Sequence, residues 1–183
     1  MSNNILLLPD RLLALIEPAA TPVLTTLARF IFAAVLLVYY LNSALTKIPD
    51  GLINLVSPSF NAFAQIFPKE AAAVSYDIGS ATIFQKLVIL AGTWAEFVLP
   101  CLLVIGLFTR AAALGMIGFV TVQSLTDIFG HGGETGAWFD RLSDAVILDQ
   151  RAFWVFLLLY LLFRGGGPIA ADRLLDAAFD RNR

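Results

Sequence analysis

The side chains that could do chemistry in this 183-residue chain stand alone inside apolar runs. Glu96 is the one charge between about Leu87 and Phe108. Gln123 and Asp127 break the run from Ala111 to about Phe129, and Arg151 enters a later run if that run is taken back to Ala145. An ionised group in hydrocarbon costs a few kcal/mol or more, so each marks either a site or a structural ion pair. At a rise of about 1.5 Å per residue, Glu96, Gln123 and Arg151 all fall about 18 Å from the same end of their runs. Thr93 lies three residues before Glu96, Asp127 lies one turn beyond Gln123, and Tyr39, Tyr40 and Asn42 occupy the matching half of the first run. Two readings follow. In one, these groups line a polar pocket around Glu96. A carboxyl group whose neutral form is favoured by desolvation can accept and donate protons there. That chemistry suits quinone reduction or a proton path. In the other, Glu96 and Arg151 form a buried pair that only orients the bundle.

The remaining candidates are weaker. Arg29 lies nearer a membrane face and can snorkel to head groups, while Lys47 and Arg110 read as interfacial anchors at helix ends. Trp94, Trp138 and Trp154 could stack on an aromatic ring, but such residues also pack or sit at membrane boundaries. Cys101 beside Pro100 reads as a packing residue. His131 with Glu134 could hold a metal only weakly. One cysteine excludes an internal disulfide and a dithiol redox motif, and one histidine excludes a bis-histidine haem site. No metal site is expected, no covalent cofactor, and no nucleic-acid partner at a net charge of −2.

Positioning these residues requires four long helices. Of the chain, 58% is hydrophobic and 14% charged, with a mean hydropathy of +0.80. A soluble domain has about 45–50% and about 25%. The excess apolar surface must face lipid. The fold class is therefore all-α: an integral membrane four-helix bundle with short interfacial helices. The spans run over about 23–45, 87–108, 111–129 and 145–163, each near the roughly 20 residues a bilayer requires. Residues 1–22 read as a retained interfacial segment, with Leu8, Leu12, Leu15 and Ile16 at helical spacing. The link from Thr46 to Lys86 holds one or two short helices, and the Thr109-Arg110 link makes an antiparallel hairpin. Gly165-Gly166-Gly167-Pro168 ends the last span, leaving 165–183 as a tail. Small residues at Ala91 and Ala95, and at Ala111, Gly115 and Gly118, read as close helix packing. With four spans both termini share a side. That side carries Arg11, Arg110, Arg164, Arg173, Arg181 and Arg183, which places both termini in the cytoplasm.

Three stretches resemble the DoxX family of bacterial inner-membrane proteins. They are Leu27-Ala28-Arg29-Phe30 through Thr46-Lys47-Ile48, then Trp94-Ala95-Glu96 followed by Ile105-Gly106-Leu107-Phe108-Thr109-Arg110-Ala111-Ala112, and finally Leu161-Leu162-Phe163-Arg164-Gly165-Gly166-Gly167-Pro168 with Asp172 after it. The resemblance covers roughly Leu27 to Leu175. It departs where Ser43 and Ala44 stand in place of a glycine, and where Ala170-Ala171-Asp172 replaces Ser-Leu-Asp. It implies a four-helix fold and a place beside an oxidoreductase partner or in redox or metal stress, and it singles out Arg29, Lys47, Glu96 and Arg110. The joint reading is a membrane subunit of a redox complex, without a redox centre of its own, holding a quinone or similar apolar ligand. Glu96 would handle protons, and Arg29, Tyr39, Thr93, Gln123, Asp127 and Arg151 would be ligand contacts. The alternative is a non-catalytic scaffold or anchor. Either could form a homo-oligomer.

Overall fold

The structure, a computed structural model, describes residues 8–180, apart from several side chains at either end. Four helices are long and apolar enough to cross a membrane: Glu17–Thr46, Ile83–Ile105, Thr109–Gly130 and Val146–Arg164. They pack as an all-α bundle, and no strand occurs among the described residues. The core runs along the bundle axis through Phe32, Leu36, Tyr40, Leu103, Met116, Leu158 and Leu161, while outward residues such as Phe30, Val38, Phe153 and Phe156 remain exposed. An apolar exterior around an apolar core is what a lipid-facing bundle requires.

The first long helix differs from its sequence reading. It is helical from Leu8 through Pro18 and Pro22, so there is no break near residue 22 between a surface segment and a span. The side chains of Leu8, Leu12, Leu15 and Ile16, which would define a membrane-surface face, lie outside the described residues. Further along, Ala33–Leu37 winds as a π-helix and leads into Val38–Thr46. The buried positions Ala28, Phe32, Leu36, Tyr40 and Ala44 recur every four residues. In an ideal α-helix of about 3.6 residues per turn that row would drift around the axis. The wider π turn slows the drift and keeps the row facing its neighbours.

The second helix begins at a capping box, in which the Thr82 hydroxyl accepts from the Gln85 N–H and the Gln85 side chain accepts from the Thr82 N–H. It ends at Gly106 in the left-handed conformation. The hairpin turn is therefore Gly106–Phe108 rather than Thr109-Arg110, which already belong to the third helix. Phe108 is also left-handed, at φ 49°. The Asp172 carboxylate holds this turn by accepting from the Phe108 N–H at 2.6 Å and the Thr109 N–H at 3.0 Å.

The third helix finishes in a π segment, Thr126–Gly130, and the fourth starts in another, Val146–Gln150. Taking the fourth helix back through Asp149, Gln150 and Arg151 therefore matches the observed element. Between the first two long helices lie the short helices Phe60–Ile66 and Pro68–Ala73, with 3-10 turns at Gly51–Leu55 and Ile78–Ser80. They enclose a small separate core around Ala62, Phe63, Ala71 and Ile89. Asp172–Asp180 forms a final helix after the glycine turn.

Candidate functional site

Two charge pairs organise the bundle, one buried on both sides and one in which only the arginine is buried, and neither joins Glu96 to Arg151. Lys47 Nζ contacts both Glu96 carboxylate oxygens, at 2.8 and 3.0 Å. Lys47 is 5% and Glu96 3% exposed. Ser43, one turn before Lys47, completes the cluster. Its hydroxyl donates to Glu96 Oε1 at 3.2 Å and accepts from Lys47 Nζ at 3.0 Å. The other pair is Arg151 with Asp127 on the third helix, supported by an Arg151–Ser124 hydrogen bond of 3.0 Å and by Trp154 beneath the guanidinium. The buried Glu96–Arg151 pair considered from sequence is thus replaced by two pairs, each neutral. Pairing is what makes such burial tolerable, because either charge alone would be left desolvated.

Lys47 is therefore no exposed anchor at a helix end. The segment after it folds back over it: the Ser59 hydroxyl donates to the Lys47 carbonyl at 2.6 Å, and Asn61 and Gln65 bond to Thr46. Pro100 contributes from the second helix. It has no N–H to give the carbonyl four residues back, which is that of Glu96, so the backbone beside the carboxylate is freed as well.

Beside the Lys47–Glu96 pair opens a cleft of about 540 Å3 between the first three helices. Its polar groups include Tyr39, Ser43, Lys47, Glu96, Gln123 and Asp127, with Gln65 and His131 at one end. The Gln123 amide N–H donates to the Tyr39 hydroxyl at 2.9 Å, and the Tyr40 hydroxyl reaches Gln123 Oε1 at 3.4 Å. His131 Nε2 lies 2.9 Å from the Gln65 carbonyl, which ties the short helix to the end of the third long one. Among the described residues, no group of histidine, cysteine and carboxylate side chains could hold a metal ion.

The floor of the cleft is made by small residues. Ala91, Gly92 and Ala95 line it from the second helix, and Gly115 and Gly118 from the third. Their sequence reading as close packing holds at Gly115, where an added Cβ would meet Leu99 at 3.0 Å. It does not hold at Gly118, where a Cβ would have nothing within 4 Å. There the missing side chain is open space.

Of the residues singled out from sequence, Glu96, Tyr39, Gln123 and Asp127 share this cleft. Thr93 is buried and spends its hydroxyl on the Ile89 carbonyl of its own helix, so it is not among the lining groups. Arg151 reaches the cleft only through Asp127. Arg29 neither snorkels nor lines the cleft. It is 8% exposed and donates to the carbonyls of Leu103, Val104 and Gly166, which bind the end of the second helix to the glycine turn after the fourth. Those contacts also place the N-terminal part of the first long helix at the same end of the bundle as the C-terminal end of the fourth. Two contributors were missed in sequence: Ser43 and Gln65. The Ser43–Lys47 spacing of four was the available signal for the first. No family model matches the chain, and no curated protein or solved structure matches it either.

Proposed function

We propose that the protein binds a quinone, or an amphiphile of similar shape, in the cleft between its first three helices. In this reading it serves as the membrane subunit of a redox complex in a bacterial inner membrane. One observation carries the proposal. A cavity of about 540 Å3 meets a buried ion pair between the end of the first helix and the middle of the second, and its floor is left open by Gly118. Small-molecule sites are mostly apolar concavities of about 300–1,000 Å3 with a few placed polar groups.

The lining suits such a head group. The walls are apolar and built from small residues, so a flat ring can lie between the second and third helices. The Tyr39 hydroxyl accepts from Gln123 and keeps its own proton for an acceptor in the cleft. Glu96 is bound by Lys47 and Ser43, whose positive charge and hydroxyl hold its proton balance. A quinone would supply the electron acceptor. Its reduction to a quinol takes two electrons and two protons, and the electrons would come from a partner subunit. The protein's own residues bind and orient the head group, with protons held at the Tyr39 hydroxyl and at the Lys47 ammonium that Glu96 pairs. The DoxX resemblance, carried by Arg29, Lys47, Glu96 and the Gly106–Arg110 hairpin, supports the same assignment.

A scaffold role is the second reading, and it is favoured by the way Lys47 and Glu96 already satisfy one another. Mass spectrometry of the organic extract from protein purified in mild detergent separates the two. The binding role predicts about one equivalent of quinone in the wild type. It further predicts loss of that quinone in Gly118→Leu, which puts a side chain where an added Cβ has nothing within 4 Å. Equal, negligible quinone in both preparations leaves the scaffold.

A further inference from the structure

At the opposite end of the bundle from the Lys47 cluster, a second cleft of about 660 Å3 lies where the third helix starts and the fourth ends. Arg110, Arg164 and Arg173 all line it. They come from three different elements: the first turn of the third helix, the last residue of the fourth, and the short final helix. Their meeting is therefore a product of the fold and not of local sequence. The Arg110 Nε lies 3.6 Å from where a side chain on Gly165 would begin, so the arginine packs against the glycine turn that follows Arg164. Among the described residues none of the three arginines is in a salt bridge.

Two acids share the cleft, Asp172 and Asp176. Asp172 is committed elsewhere, since both its oxygens accept the backbone N–H groups of Phe108 and Thr109. Three arginines against these two carboxylates leave the cleft with a net positive charge. Beneath Gly166, Thr109 is fully buried and its hydroxyl has no hydrogen-bond partner among the described residues. Phe108, 60% exposed, adds an apolar wall to the same cleft. An open guanidinium cluster, an unpartnered hydroxyl in the floor and an aromatic side wall together suit an anionic group attached to an apolar body.

We infer that this cleft binds the phosphate of an anionic phospholipid, held by Arg110, Arg164 and Arg173. Guanidinium groups pair with phosphate oxygens in bidentate fashion, and basic pockets between membrane helices take anionic head groups. The site is independent of the quinone proposal, because it shares no residue with the first cleft.

The test is native mass spectrometry of the delipidated protein given phosphatidylglycerol or phosphatidylcholine. Phosphatidylglycerol should stay bound at collision energies that strip phosphatidylcholine. The triple variant Arg110→Gln, Arg164→Gln, Arg173→Gln should lose about fivefold retention per arginine, roughly a hundredfold in all. Arg141→Gln, in the loop at the other end, should retain lipid as the wild type does. Arg173→Gln alone, on the final helix outside the bundle, gives the same test at about a fivefold loss if the triple variant does not fold. Inorganic phosphate distinguishes the source: displacement of the lipid by millimolar phosphate would assign the site to free phosphate and overturn the lipid assignment. Equal retention of the two lipids, or an unchanged variant, would overturn the site altogether.

Discussion

At the scale of the residue, Glu96 is held by its partner. Glu96→Gln leaves Lys47 buried at 5% exposure with no opposing charge. Breaking one side of a buried pair costs about 3–5 kcal/mol, and removing both charges costs far less. The expected outcome is a strongly lowered unfolding midpoint in detergent for Glu96→Gln, and recovery of most of that loss in Glu96→Gln combined with Lys47→Met. If the single variant melts like the wild type, the pair is not buried as described. The carboxylate was legible in the sequence because a lone charge in an apolar run is conspicuous. Its partner was not. Lys47 ends its run, where a lysine ordinarily reaches for head groups, and only the fold-back of Ser59, Asn61 and Gln65 over the helix end encloses it. Arg29 was misread for the same reason, because the carbonyls that receive it belong to residues 74 to 137 positions away.

At the scale of the element, the turns are tighter than the helices they join. Gly106 has φ 75°, and a Cβ there would sit 2.7 Å from both the Arg29 guanidinium carbon and the Ala170 side chain. Gly51 has nearly the same φ, 76°, with nothing within 4 Å. The two glycines therefore separate backbone strain from crowding. Gly51→Ala should cost about 1–2 kcal/mol, the left-handed penalty alone. Gly106→Ala should add about 1–3 kcal/mol more for the displaced neighbours. Thermal melts of the two variants side by side check this, and equal losses would mean that Arg29 and Ala170 both move aside freely. The four long helices were plain in the sequence, since an apolar run near 20 residues has few other fates. Their ends were not, because hydropathy does not register hydrogen bonds. The Thr82–Gln85 cap starts the second helix ahead of its apolar run, and Asp172, distant in sequence, fixes where the third begins. The small residues of the second and third helices carried two meanings at once. Close packing at Gly115 and an open floor at Gly118 differ only in what stands opposite.

At the scale of the whole molecule, the two ends of the bundle differ in kind. One end carries the Lys47 cluster, the short helices and the acidic loop after the third helix. The other carries the hairpin turn, the glycine turn and the cleft of Arg110, Arg164 and Arg173. Arginine retained on one side of short loops sets orientation in a membrane, so the second end should face the cytoplasm. The contacts of Arg29 with Val104 and Gly166 bring the first long helix and the chain after the fourth helix to that same end. A cysteine scan tests the arrangement in a Cys101→Ala background, which removes the one native thiol. Leu142→Cys, exposed in the loop between the third and fourth helices, should react with a membrane-impermeant maleimide added outside spheroplasts. Ile169→Cys, exposed just after the glycine turn, should react only once the membrane is opened. The opposite pattern would invert the protein and expose the arginine cleft to the outer leaflet. Labelling of both from outside would mean that the fourth helix does not cross, against its 19-residue apolar length from Val146 to Arg164.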